Sequence, residues 1–259
     1  MKISVFLIFL LTLGISTMAQ NTIIAHRGAS HLAPENTVAS VKLAWELGAD
    51  AVEIDVHLSR DNRVMVIHDE DTKRTCNGKK NLTIKDAPSV ILRDLDAGIW
   101  KGDEFKGEKI PFLSEVLETV PEGKTLVVEI KSDTKILPAL QRVLEDNDKR
   151  DQIVFISFGW KTILQTRKAF PDNKCYWLSS SKSGLKKKME DAAKKGLDGV
   201  NLKHSMINEE IMALAKQLDL DVLTWTVDDP AEAQRLLKLG VSGITTNRPK
   251  WLKNQMEKQ

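Results

Sequence analysis

From residue 125 onward, hydrophobic positions alternate between two periods. Short β-branched or aromatic runs at 125–131, 153–158, 174–178, 199–202, 222–227 and 243–246 have the composition of strands. Between them, residues 135–146, 160–169, 184–195, 208–218 and 230–239 carry apolar side chains at helical spacing. Gly196 and Gly240 end two of those helices. Upstream, residues 22–25 form a short strand that runs into His26-Arg27-Gly28. Val38, Val41, Ala44, Trp45 and Leu47 trace a helix stopped by Gly48, with Asn36 or Thr37 as its cap. Residues 51–58 are the next strand. A tight turn at 59–63 leads to another at 64–67, which must fold back antiparallel because a link this short cannot return a parallel strand. Residues 70–112 are less regular and predict an excursion over one end of the domain; 113–120 are again helical.

With the hairpin arm set aside, eight strands alternate with helices. The predicted fold class is α/β, a closed (β/α)8 TIM barrel with a hairpin and a small insertion, about 70–112, after the second strand. An open doubly wound sheet is the alternative. It is disfavoured because the chain has no Gly-rich dinucleotide loop.

Strand 51–58, Ala-Val-Glu-Ile-Asp-Val-His-Leu, sets the chemistry. Residues two apart share a face, so Glu53 and Asp55 point one way while Val52, Ile54 and Val56 enter an apolar layer. Two adjacent carboxylates need a positive partner, and a hard divalent cation with oxygen ligands is the natural one. The plainer reading is a solvated strand face with two surface acids. A barrel of this type places its active site at the carboxyl ends of its strands. His26 and Arg27, Glu53 and Asp55, Glu129 and Lys131, and Trp225 all fall late in predicted strands, and so converge on one mouth. Three carboxylates suffice for one cation. Arg27 and Lys131 suit phosphate oxygens. Two imidazoles, His26 and His68, can act as general base and general acid. The second depends on register: a hairpin turning about Asp61 and Asn62 returns His68 opposite Asp55.

Composition adds limits. The chain has 259 residues, 42 % hydrophobic and 29 % charged, which suits one domain with a large core. A formal charge of +2 gives no basic field for nucleic acid. Residues 1–19 have the layout of a secretory signal: Lys2, an apolar run from Val5 to Leu11, then Ser16-Thr17-Met18-Ala19. The run is too short to span a bilayer comfortably, so cleavage after Ala19, an exported periplasmic or secreted chain (residues 20–259) and no stable membrane anchor are expected. Cys76 and Cys175 are placed at opposite ends of the barrel and are expected as free thiols.

As an ordered set, His26-Arg27-Gly28, Pro34-Glu35-Asn36-Thr37, Glu53-Ile54-Asp55-Val56, His68-Asp69, Arg74-Thr75, Ile110-Pro111, Val128-Glu129-Ile130-Lys131 and Thr224-Trp225-Thr226-Val227-Asp228 resemble the glycerophosphodiester phosphodiesterase family over about residues 22–250. The resemblance implies a phosphodiesterase-type TIM barrel and a Ca²⁺ or Mg²⁺ ion bound by the residues matching Glu53, Asp55 and Glu129. It also implies His26 and His68 as catalytic histidines, and hydrolysis of a small-molecule glycerophosphodiester to sn-glycerol 3-phosphate and an alcohol. Alternatives are the same chemistry on a phosphoinositide, lysophospholipid or teichoic-acid diester, or a non-catalytic sugar-phosphate binding protein. Trp225 is expected to pack against the glycerol end of the substrate.

Overall fold

The structure, a computed structural model, describes residues 22–76, 81–145 and 147–258. The expected leader at 1–19 lies outside the described residues. Nine strands are seen among them: β1 (Thr22–His26), β2 (Ala51–Leu58), β3 (Val64–Val66), β4 (Thr125–Ile130), β5 (Ile153–Ser157), β6 (Lys174–Ser179), β7 (Gly199–Lys203), β8 (Asp221–Trp225) and β9 (Gly243–Thr246). Eight of them run parallel in the order β1-β9-β8-β7-β6-β5-β4-β2, and β1 also pairs with β2, which closes the barrel. Only β3 is antiparallel, folded onto the end of β2. The helices are α1 (Val38–Glu46), α2 (Ser89–Arg93), α3 (Leu113–Leu117), α4 (Leu137–Glu145), α5 (Trp160–Ala169), α6 (Leu185–Lys194), α7 (Glu209–Gln217), α8 (Pro230–Leu239) and α9 (Pro249–Glu257). No helix among the described residues is long and apolar enough to cross a membrane.

The period-two strands divide their side chains between two cores. Val52, Ile54, Val128, Phe155, Val200, Val222 and Ile244 face the helical shell. Ile24, Ala51, Val127, Val154, Ile156, Tyr176, Leu178 and Leu223 fill the barrel interior. Both sets are buried, as expected for a parallel sheet covered on each face. At the amino end of the strands Tyr176 lies across the interior, its hydroxyl donating to Asp221 Oδ2 at 2.8 Å, with Lys174 Nζ on the same oxygen at 2.7 Å. Gly199 makes this possible: a Cβ there would sit 2.5 Å from the Tyr176 ring and 2.3 Å from the Asp221 carbonyl oxygen. That end is thus plugged, and the opposite end carries the polar side chains.

The helices begin and stop for local reasons. Thr37 and Ser40 form a reciprocal capping box on α1. Asp229 caps α8, Pro230 occupies its first turn, and Gly240 ends it at φ 92°. The tail that the sequence left without an element, including Trp251, is α9. It is the helix that completes the eighth strand–helix unit.

The insertion is an excursion whose two ends meet. It leaves β3 at Ile67 and returns through Ile110-Pro111-Phe112, where Val66 N donates to the Pro111 carbonyl at 2.8 Å and Met65 bridges Phe112. It has a small core of its own, built from Met65, Ile67, Ile84, Ala87, Leu92, Ala97 and Ile110. Cys76 lies in the insertion and Cys175 at the start of β6, and both are free thiols. Burial pushes Cys175 up to about 12 and Cys76 up to about 11, so neither is a reactive thiolate near neutral pH.

Candidate active site

Glu53 and Asp55 stand on one face of β2, and Asp55 is paired in register with Glu129 on β4. One ligand oxygen from each lies within 4.8 Å of the others, and all three side chains are buried. Burial and the charges of Asp55 and Glu129 push Glu53 well above the ordinary carboxylate range. Burial, then Asp55, raises Glu129 to about 7. Burial also works against the Asp55 carboxylate, but Arg27, Lys131 and His68 outweigh it and hold Asp55 low.

Two cations border the acids. Arg27 Nε is 3.3 Å from Asp55 Oδ2, and the Arg27 amide donates to Glu53 Oε2 at 3.0 Å. Lys131 Nζ lies 2.9 Å from Glu129 Oε1 and 3.6 Å from Asp55 Oδ1. Arg27 reaches this position in the left-handed region, φ 54°. Gly28 follows at φ 79°, where a Cβ would meet Ser40 at 2.5 Å. Backbone strain of this kind gathers at sites where surrounding contacts hold it in place. Ionised together, the three carboxylates outnumber the two cations, and Arg27 is also shared with Glu35 at 2.7 Å; the raised Glu53 and Glu129 reflect that crowding. Asp55 Oδ1 is buried and accepts no hydrogen bond. An all-oxygen donor set with a buried oxygen that accepts no hydrogen bond fits a hard divalent cation.

His26 ends β1, with Nε2 4.0 Å from Glu53 Oε2. Its Nδ1 meets Asn247 Oδ1 at 2.7 Å. Asn247 is itself oriented, because its Nδ2 donates to Asp228 Oδ2 at 2.6 Å and its amide donates to Asp228 Oδ1 at 2.9 Å. With the amide oxygen fixed toward the ring, Nδ1 carries the proton and Nε2 keeps its lone pair. Burial, then the Arg27 charge, lowers His26 to about 4, so the ring is neutral.

His68 lies just beyond β3. The pairing is Val56 with Val66, and Ile67 N donates to the Asp55 carbonyl at 3.0 Å. Ile67, not His68, is therefore opposite Asp55, one residue from the expected register. The cause is the turn. Ser59 N donates to the Arg63 carbonyl and Asn62 sits at φ 58°, a three-residue loop centred on Asp61. His68 itself lies past the ladder, where the two-residue alternation of the strand no longer fixes the face its ring takes. Its Nδ1 contacts Asp69 Oδ1 at 2.6 Å.

Trp225 ends β8 on top of the interior core, edge-on to the half-exposed Phe158 at 5.5 Å between centroids. The expected site residues thus sit at carboxyl ends of strands, or just past them, at one mouth. Sequence reasoning gave no role in the site to the residues that hold them, although all but Asn247 fall within the motifs that carry the family resemblance. Of the two cap candidates Thr37 is the cap, whereas Asn36 donates to Asp55 Oδ2 at 2.8 Å and accepts from the Asp55 amide at 3.0 Å. Glu35, Asp69 and Arg74 form a charged chain beside Arg27. Asn247 and Asp228 orient His26. A polar residue directly after a barrel strand was the available signal for Asn247.

Fold and site together define a TIM barrel with a buried carboxylate triad flanked by cations at its mouth. The glycerophosphoryl diester phosphodiesterase family model matches residues 26–251, and the chain belongs to that family. A glycerophosphodiester phosphodiesterase from Caldanaerobacter subterraneus subsp. tengcongensis is 34 % identical over 241 residues, covering 91 % of this chain and 98 % of that protein. Among solved structures, an Oleispira antarctica phosphodiesterase in complex with the product sn-glycerol-3-phosphate aligns with a TM-score of 0.84 at 29 % identity, covering 92 % of this chain and 97 % of that one. A glycerophosphodiester phosphodiesterase from Agrobacterium tumefaciens aligns at 0.78 and 26 %, covering 91 % and 100 %.

Proposed function

We propose that this chain hydrolyses glycerophosphodiesters to sn-glycerol 3-phosphate and an alcohol, with one Ca²⁺ or Mg²⁺ held by Glu53, Asp55 and Glu129. The observation that carries the reading is the cluster of three buried acids. Ionised, Glu53, Asp55 and Glu129 carry three charges against Arg27 and Lys131, and Arg27 is shared with Glu35, so a divalent cation would offset the excess negative charge and let the site receive a phosphodiester monoanion. When bound, the cation neutralises phosphoryl oxygens and so favours in-line displacement. Arg27 presents a planar fork to the phosphate and Lys131 a point charge. His26 and His68 flank the phosphorus, one taking a proton from the attacking oxygen and the other giving one to the leaving oxygen. Trp225 and Phe158 supply an apolar wall for the glycerol end. Residues 1–19 direct export and are removed after Ala19, which Edman sequencing of the mature protein checks.

Turnover of glycerophosphocholine with and without chelator tests the reading. The expected result is release of glycerol phosphate that a chelator abolishes and excess Ca²⁺ or Mg²⁺ restores. A parallel set of lysophospholipid, phosphoinositide and teichoic-acid diesters assigns the alcohol. Binding of sugar phosphates without turnover of any diester would replace the enzyme by a binding protein.

A further inference from the structure

The guanidinium of Arg74 is shared between two carboxylates. Its Nε and Nη2 donate to Asp69 Oδ2 and Oδ1 at 2.8 and 2.9 Å. Its Nη1 and Nη2 donate to Glu35 Oε2 and Oε1, both at 2.8 Å. Each carboxylate in turn holds a residue of the site. Asp69 Oδ1 accepts from His68 Nδ1 at 2.6 Å, and Glu35 Oε1 accepts from Arg27 Nη1 at 2.7 Å. One planar group therefore spans from His68 to Arg27.

We propose that Arg74 is a positioning residue which fixes His68, through Asp69, and Arg27, through Glu35, in one geometry. The proposal rests on the roles given above to His68 and Arg27. His68 needs such a support because β3 ends at Val66 and the last ladder hydrogen bond is made by Ile67. Past that point β2 holds His68 only by its backbone, through His57 Nε2 at 3.1 Å from the His68 carbonyl oxygen, a contact that does not set the direction of the ring. A carboxylate can only accept, so Asp69 places the proton on Nδ1 and leaves Nε2 for the reaction. Asp69 has two equivalent oxygens and could turn; the bidentate fork of Arg74 removes that freedom. Arg74 is firmly based in turn. Cys76 N donates to the Thr72 carbonyl, Thr72 N to the Leu82 carbonyl, and Leu82 N to Thr72 Oγ1. Asp71 bridges Thr83. The small core of the insertion thus anchors the segment that carries Arg74. In this way the insertion sets the alignment of a site built mainly on the barrel.

Lysine cannot make this contact, since it offers one point of donation in place of a fork. Arg74→Ala and Arg74→Lys are both expected to lower kcat about 10- to 100-fold, the range typical of outer partners of a site, with KM changed less than about threefold. Binding of Ca²⁺ or Mg²⁺ alone, followed by calorimetry, is expected to stay within about threefold, because Arg74 touches none of the three acids. The side chain is 44 % exposed, so a small cation can reach the space it leaves. Guanidinium chloride at about 20 mM, far below denaturing concentrations, should raise kcat of Arg74→Ala and leave wild type unchanged. Asp69→Asn serves as a second variant if Arg74→Ala does not fold; it should lower kcat, and guanidinium should not restore it. Near-wild-type kcat in Arg74→Ala overturns the proposal, as does a parallel loss of metal affinity or an absence of guanidinium rescue in the folded variant. Failure of the wild type to cleave any diester would instead count against the function proposed above, so the two failures are distinct.

Discussion

At the scale of single residues, the site is a set of groups that could not be stable alone. Glu53 is buried, lies close to two other acids, and is pushed well above its usual range. Glu53→Gln keeps the volume and removes one ligand charge, so metal affinity should fall at least about tenfold, roughly 1.4 kcal/mol. Titration of the purified variant with Ca²⁺ or Mg²⁺ by calorimetry reads this directly, and unchanged affinity would remove Glu53 from the ligand set. Alternation along β2 was enough to place Glu53 and Asp55 on one face, where the structure has them. The supports were not legible. Asn36 reads, with Thr37, as a candidate cap because capping is local, whereas its contact with Asp55 is made across nineteen positions of chain. Asn247 and Asp228 meet His26 from the far end of the sequence, where no spacing rule links them.

At the scale of elements, the hairpin and insertion place His68. Asp61 ties the hairpin turn to α2: it accepts from the Ser89 amide at 2.8 Å, from Ser89 Oγ at 2.7 Å and from Ser59 Oγ at 2.7 Å. Burial is the largest single influence and opposes the charge, but these donors together outweigh it and lower Asp61 to about 2. Its folded value is below the unfolded one of about 3.9, so its contribution is complete above about pH 4 and is lost as pH falls toward 2. Asp61→Ala should cost about 1 kcal/mol at pH 7, and the gap to wild type in urea melts should close below about pH 4. A gap that persists at pH 2 would mean that the hydrogen bonds do not depend on the charge. The same turn explains the one-residue register difference. Sequence identified a tight turn, but whether it centres on Asp61 or between Asp61 and Asn62 depends on Asn62 adopting φ 58°, which the strand pairing and the Ser59–Arg63 contacts select.

At the scale of the whole molecule, closure of the barrel leaves one plugged end and one reactive end. Gly199→Ala should destabilise the fold by about 1–3 kcal/mol, since the added carbon meets backbone and ring at contact distances no rotamer relieves. Thermal melts check this, and an unshifted midpoint would mean that Tyr176 can leave the interior. Eight strand–helix alternations, the insertion and the convergence of His26, Arg27, Glu53, Asp55, Glu129, Lys131 and Trp225 at strand ends were all determined by sequence, because period and strand direction are local properties of the chain. The tertiary structure alone decided which polar groups share a partner: Arg74 between Glu35 and Asp69, Asn247 between Asp228 and His26, and Asn36 on Asp55. Such pairings depend on distances between segments far apart in sequence, and these are set only when the sheet closes and both cores pack.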